Sequence, residues 1–387
     1  MALLSTGRRP VTAVDASDIP LVLSRLREAL FDDGDTIFPA TAERLPHAPL
    51  DAPATVALVI ETSGSTASPK RVALSADALI ASADATHDAL GGPGRWLLTL
   101  PAHYIAGAQV LVRSLVAGTE PLVLEGNRFD AASFAEAASR LDARTPRYTS
   151  LVPVQLARIV EAAERDAFVA AALTSFDAVL VGGQALAASL AARAEALGAR
   201  IVRTYGSSET SGGCVYDGRP LGGVDARIVD GRIELAGPML AEEYLDDDAR
   251  TAETFRVESG RRWYRTGDIG ELRDGLLRVT GRADDVIISG GVKVSLGEVE
   301  NLVRTVDGFV DAVVAAVDHH DWGQSPAVVA RRSEITEAPG ALGELAARIG
   351  DIAGPAGRPS RLFLVDTMPL LASGKPDRRA IEALVSS

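Results

Sequence analysis

The sequence predicts an α/β protein: a large N-terminal domain of sheets covered by helices with a small antiparallel region, plus a small mobile α+β C-terminal domain. Three observations carry this. Short apolar runs alternate with alanine-rich helical stretches through the first half of the chain. After about Tyr205 the rhythm changes to short runs broken by Gly turns, as in ARIVDGRIEL. From residue 296 a separate order of helix, two strands, helix and strand begins.

Taken in order, residues 17–46 read as a mostly polar helical opening segment, with LVLSRLREAL periodic enough for one helix. VALVIET (56–62) is a short apolar strand that ends abruptly in a Ser/Gly/Thr loop. Residues 75–90 carry a serine cap and apolar residues at helical spacing. Further strands are expected at 96–100, 121–126, 149–154 and 177–183, and helices at 105–117, 131–141, 155–171 and 185–197. That alternation builds parallel sheets, whose ligands collect at the C-terminal strand ends. Segments 225–237 and 263–280 are expected as short antiparallel strands. The change of pattern inside TGRADDVI places the domain boundary within 281–285, giving domains 1–282 and 283–387. There is no internal repeat.

Composition narrows the function classes. A formal charge of −13 argues against nucleic-acid partners and anionic membranes, although a few local bases and amides suffice to hold a phosphate. The single cysteine, Cys214, excludes an internal disulfide and a multi-cysteine zinc site. No membrane span or signal peptide is expected, which suggests a cytoplasmic protein.

Only three lysines occur, Lys70, Lys293 and Lys375, against 36 arginines, and each lies in a Gly- or Ser-rich stretch. A compact ammonium on a flexible stem suits a place beside a phosphate or carboxylate where a planar guanidinium does not fit. In ETSGSTASPKR (61–71), Thr62, Ser63, Gly64, Ser65 and Thr66 supply hydroxyls and flexible amides that can wrap a polyphosphate, with Lys70 to neutralise it. GKS and GKT are absent, so this is not a Walker A loop; a structural Ser/Gly turn is the plainer reading. In RTYGSSETSGG (203–213), Tyr205 can stack on a base and Gly206 permits close approach. Glu209 there reads equally as a surface cap or as an oxygen ligand for Mg²⁺ on phosphates. Gly182 and Gly183 form either a tight turn or a flat surface for a planar ring. Asp268 in YRTGD is an Asx-type cap or an acceptor for a ribose diol, and Arg282 a surface residue or an oxygen-binding one. ISGGVKVSLGEVE (288–300) and LASGKPDRR (371–379) place the other two lysines in Gly-rich loops of the smaller domain. Mobility there would let a lysine complete a site and then withdraw.

Together these stretches resemble the adenylate-forming acyl/aryl-CoA ligase family, which includes luciferase-like enzymes and nonribosomal peptide adenylation domains. The matching order is TSGSTASPK, LPAHYIAG, VGG, YGSSET, YRTGD, GRADDVIISGGVKV and SGKPDRR, most of the chain. The resemblance implies ATP, Mg²⁺ and coenzyme A as reactants and helpers of an acid–thiol ligase that passes through an acyl-adenylate. It implies that Lys70 and residues 62–66 hold the β/γ-phosphates and Glu209 the magnesium. Gly182, Gly183 and Tyr205 would frame adenine, Asp268 would bind ribose with Arg282 assisting, and Lys375 would meet the α-phosphate and the acid. Asp284 matches the hinge, and Gly290, Gly291 and Lys293 the loop for the thioester step. Ala67 and Ser208 stand where the family usually has glycine and threonine.

Only about 60 residues precede the phosphate loop, which resembles the compact branch of the family that activates 2-succinylbenzoate for menaquinone biosynthesis. On that likeness His103 lies at the acyl-pocket entrance, and Ser211, Gly212, Gly213 and Tyr216 line the aromatic pocket; a packing histidine is the plainer reading of His103. The second carboxylate of such an acid needs a basic contact that the motifs do not identify. Another aryl or short-chain acid, a carrier-protein thiol as acceptor, and a non-catalytic nucleotide-binding module stay open. A homodimer is expected only at family level.

Overall fold

The computed structural model describes residues 7–42, 50–62, 70–126, 129–335, 340–371 and 376–386. Its first sheet has six strands in the order Glu243–Tyr244, Lys70–Ser75, Val56–Thr62, Thr36–Ala40, Arg8–Asp15 and Leu50–Pro53. Arg8–Asp15, Thr36–Ala40 and Val56–Thr62 run parallel, and the other neighbours are antiparallel. Val56–Ile60 is wholly buried, so each large apolar side chain there contributes about 1.5–3 kcal/mol.

The second sheet has seven strands, in the order Arg219–Pro220, Gly212–Tyr216, Ile201–Ser207, Ala178–Val181, Arg147–Leu151, Arg95–Leu98 and Leu122–Val123. Its last five strands are parallel, as the alternation of apolar runs and alanine-rich helices predicts. The helices Ile105–Val116, Ala131–Ser139, Pro153–Ala163, Ala167–Thr174 and Ala188–Ala196 connect and cover it. A third, antiparallel sheet contains Asp225–Val229, Arg232–Ala236, Phe255–Glu258, Arg261–Arg273 and Leu276–Arg282. The small C-terminal domain is a five-stranded sheet of Val286–Ser289, Val292–Ser295, Val313–His319, Gly323–Arg331 and Arg361–Val365, with helices Leu296–Val303, Ala341–Ala353 and Arg378–Val385.

Two expectations need correction. Residues 17–46 are not one helical segment: the helix is Ile19–Phe31, and Thr36–Ala40 is a strand buried at every position. TIFPA has no polar alternation to mark it, because both of its faces are covered. The stretch 155–171 is two helices, since Asp166 interrupts it and caps the second, its Oδ1 accepting from the Phe168 amide at 2.8 Å. No helix among the described residues is long and apolar enough to cross a membrane.

Candidate active site

Gly182 and Glu209 follow the C-terminal ends of two adjacent parallel strands, Ala178–Val181 and Ile201–Ser207. Thr62 and Lys70 close the open end of the antiparallel pair Val56–Thr62 and Lys70–Ser75, where they face each other in register. Ser63, Gly64, Ser65, Thr66 and Lys375 lie outside the described residues.

Glu209 sits on a single 3₁₀ turn, Ser208–Thr210, and is 7% exposed. The Tyr244 hydroxyl donates to its Oε1 at 2.7 Å, and its own carbonyl accepts from the Ala241 amide at 2.9 Å. Burial, then the Glu209 charge, pushes the Tyr244 phenol far above its ordinary range, so it stays a proton donor. The Tyr244 ring also carries the Lys70 ammonium, whose Nζ lies 5.6 Å from the ring centroid. The hydroxyl of Ser207 donates to Tyr264 at 3.3 Å, tying the turn to the third sheet.

Asp268 lies opposite Arg282 in the pair Arg261–Arg273 and Leu276–Arg282. Its Oδ2 accepts from the Tyr205 hydroxyl at 2.7 Å, and its Oδ1 lies 3.4 Å from Nη1 of Arg282. Burial raises the Asp268 carboxyl above the ordinary value, against the opposing Tyr205 hydrogen bond and Arg282 charge. Arg282 also donates to both oxygens of Asp284, at 2.8 and 3.0 Å. Burial works to raise Asp284, but the Arg282 bonds and charge, with a smaller contribution from Lys70, leave it depressed. The charge of Glu209 acts in turn on Asp268. Lys70, Glu209, Tyr205, Asp268, Arg282 and Asp284 therefore share one electrostatic neighbourhood.

That neighbourhood offers hard oxygen ligands suited to magnesium: Oε1 of Glu209 accepts from Tyr244, while Oε2 has no hydrogen-bond partner among the described residues. No group of three or more potential ligands gathers there among the described residues, so a cation would draw its remaining ligands from phosphate and water.

The predicted adenine and acyl residues are packed by their own neighbours. Gly183 takes φ +80°, and a Cβ on Gly182 would strike the Thr204 hydroxyl. His103 stacks its ring, tilted, 4.1 Å from Tyr104 at the start of helix Ile105–Val116. Ser211 is fully buried in a left-handed conformation, its hydroxyl donating to the Met239 carbonyl at 2.8 Å. Gly212 and Gly213 continue into strand Gly212–Tyr216, and the Tyr216 hydroxyl lies 2.9 Å from that of Thr86. In the small domain, Gly290 and Gly291 turn the hairpin Val286–Ser289/Val292–Ser295 with positive φ, and Lys293 pairs with Ile288. The recorded partners of this hairpin tip belong to the small domain itself, Gly290 donating its amide to the Trp322 carbonyl at 2.9 Å.

Three residues were missed by motif reading. Tyr244 lies in a two-residue edge strand with no pattern of its own. Gln109 and Arg113 could have been found, since they are long polar residues one turn apart on a mostly apolar helix, AQVLVRSL. Both face inward. Gln109 is 1% exposed with neither amide atom hydrogen-bonded, and its Cγ lies against Gly212. Arg113 is 3% exposed, stacks over Trp96 at 5.0 Å, and reaches the Tyr216 hydroxyl at 3.5 Å, with Nε unbonded. It has no carboxylate partner among the described residues, and burial lowers its pKa.

The family described as "AMP-binding enzyme" matches residues 7–245, and the "AMP-binding enzyme C-terminal domain" matches 298–375. A "probable 2-succinylbenzoate–CoA ligase" of Mycobacterium tuberculosis is 41% identical over 331 residues, 84% of each chain. The o-succinylbenzoate CoA synthetase of Bacillus subtilis, solved with the acyl-adenylate intermediate OSB-AMP, superposes with a TM-score of 0.72 at 26% identity, covering 84% of this chain and 69% of that one. The same enzyme with ATP and magnesium ion gives 0.70 at 25% identity, over 88% and 72%. The chain belongs to the AMP-binding enzyme family.

Proposed function

We propose that this protein is an ATP-dependent acid–thiol ligase that activates 2-succinylbenzoate and transfers it to coenzyme A, in the cytoplasm and as a step toward menaquinone. The observation that carries the choice of acid is Arg113. A buried guanidinium without a counter-ion among the described residues is costly, and the cost is recovered if a ligand carboxylate takes the place beside it. An acid with two carboxylates supplies one to be activated and one for Arg113, with the Gln109 amide and Tyr216 hydroxyl beside it.

In the first step an oxygen of the acid's other carboxylate attacks the α-phosphorus of ATP and diphosphate leaves. Lys70 and Thr62–Thr66 hold the departing phosphates, Glu209 the magnesium, and Asp268 the ribose hydroxyls. Gly182, Gly183 and Tyr205 frame adenine. When bound, magnesium supplies neutralisation of the β- and γ-phosphate charge. Lys375 stabilises the charge that builds at the α-phosphoryl group, an interaction that is strongest in the transition state. In the second step the coenzyme A sulfur attacks the acyl carbon, AMP leaves, and the thiol proton passes to solvent. The domains divide at 282/283, with Asp284 as the hinge that brings Gly290, Gly291 and Lys293 to the site for this step.

The test is diphosphate exchange into ATP with 2-succinylbenzoate and a panel of benzoates and fatty acids, followed by coenzyme A. Exchange selective for 2-succinylbenzoate, with thioester on adding coenzyme A, is expected. Selective exchange with a monocarboxylic acid would overturn the choice of acid, and adenylate that no coenzyme A discharges would point to a carrier-protein thiol.

A further inference from the structure

We propose that Tyr244 is a positioning residue that presents Glu209 and Lys70 to the nucleotide, the first through its hydroxyl and the second through its ring face. The inference rests on the adenylation reading above and adds to it a residue that belongs to neither of the phosphate-binding motifs.

Tyr244 cannot easily move. Its strand pairs with Lys70–Ser75, Tyr244 opposite Val72, and the flanking amides of Glu242 and Leu245 both bond to that strand at 2.9 Å. Its own amide donates to the Thr251 hydroxyl at 2.9 Å. The ring is 2% exposed and packs against Phe255 at 5.8 Å, which stacks on Tyr264 at 5.4 Å. The hydroxyl is thus fixed by the sheet, and through it Oε1 of Glu209. With Oε1 held, the orientation of the carboxylate is set, and Oε2, which has no hydrogen-bond partner among the described residues, is its freer oxygen for a cation.

The ring face performs the second task. Its negative quadrupole holds the Lys70 ammonium. A lysine and a carboxylate in the same pocket would otherwise approach each other and close it, yet no ion pair joins Lys70 to Glu209 among the described residues. One side chain therefore keeps the cationic phosphate ligand and the anionic metal ligand apart and aimed.

The experiment measures binding rather than turnover: Mn²⁺ affinity of the ATP-bound protein by electron paramagnetic resonance, and ATP affinity by calorimetry, with no acid present. Tyr244→Phe keeps the ring and loses the hydroxyl. It is expected to weaken Mn²⁺ by about 10-fold, the effect of losing a hydrogen bond to a charged group, with ATP affinity without metal unchanged. In a Glu209→Gln background the same substitution is expected to change nothing further. Tyr244→Leu is expected to weaken metal-free ATP binding as well, by about threefold. Should Tyr244→Phe prove unstable, the double variant, which removes the buried charge with its donor, supplies the comparison with Glu209→Gln alone. Equal Mn²⁺ affinity in Tyr244→Phe, or an equal loss in both backgrounds, would overturn the inference while leaving adenylation standing. Failure of the unsubstituted protein to bind ATP would overturn the adenylation reading, and this one with it.

Discussion

Arg282 grips both carboxylate oxygens of Asp284, at 2.8 and 3.0 Å, while its remaining terminal nitrogen lies 3.4 Å from Asp268. One guanidinium therefore joins the proposed ribose acceptor to the proposed hinge. The Arg282–Asp284 pair is about half exposed on both sides, so it contributes at most about 1 kcal/mol to stability. Asp284→Ala is expected to shift the melting temperature by about 2 °C or less. Its effect should fall on the division of labour between steps: single-turnover adenylate formation within about threefold of the parent, thioester formation changed by about 10-fold. Equal changes in both steps would show that Asp284 is not a hinge.

Arg113 makes the opposite pairing of stability and activity. A buried cation with no carboxylate partner among the described residues destabilises the fold, and an apolar replacement of similar size is commonly neutral or stabilising by about 1–4 kcal/mol. Arg113→Met is accordingly expected to hold or raise the melting temperature. The same change should raise KM for 2-succinylbenzoate by about 30-fold or more, and leave the KM for ATP unaltered. A lower melting temperature with unchanged KM for the acid would make Arg113 a structural residue over Trp96.

Legibility in the sequence followed the physical origin of each feature. The parallel half of the second sheet was readable because strands such as Ala178–Val181 are continuous apolar runs set between amphipathic helices. Thr36–Ala40 was not, since full burial on both faces removes the alternation that marks a strand. Likewise, Glu209 and Asp268 stand in distinctive local motifs, whereas Tyr244 acquires its role only through a sheet pairing with residues about 170 positions earlier, Tyr244 against Val72. Long-range register is not written in local pattern.

Asp268 should leave a pH signature. Its native carboxyl is raised by burial, so the native state holds this proton more tightly than the unfolded chain does. Its contribution to stability is therefore lost as pH rises from the ordinary carboxylate value, about 3.9, through the raised native value. Asp268→Asn is expected to flatten that slope and to be the more stable protein above the window. Ligand affinity should run the other way, because accepting from two ribose hydroxyls needs the ionised carboxylate. Adenosine, which carries no titrating phosphate, is expected to bind the parent more weakly as pH falls through the same window and Asp268→Asn weakly throughout. A slope that survives in Asp268→Asn would place the titration elsewhere.

Gly206 separates what a glycine does for a ligand from what it does for the sheet. In the motif YGSSET it suggests room for a nucleotide, but the structure gives it a nearer reason. A Cβ there would overlap the Gly212 carbonyl and lie 2.8 Å from Gly213 Cα, across the irregular pairing of Ile201–Ser207 with Gly212–Tyr216. Those obstacles are backbone and cannot rotate aside. At Gly182 the obstacle is instead the Thr204 hydroxyl, with the Thr204 carbonyl at 3.1 Å, which side-chain rotation relieves in part. Gly206→Ala is therefore expected to cost about 3 kcal/mol or more, read as a loss of denaturation midpoint with unchanged slope, and Gly182→Ala about 1–2 kcal/mol. Thr204→Ala should restore much of the loss at Gly182 and none of that at Gly206, since only the first clash involves a side chain that the second substitution removes. A Gly206→Ala protein of full stability that had merely lost ATP binding would reverse the assignment and give this glycine to the ligand.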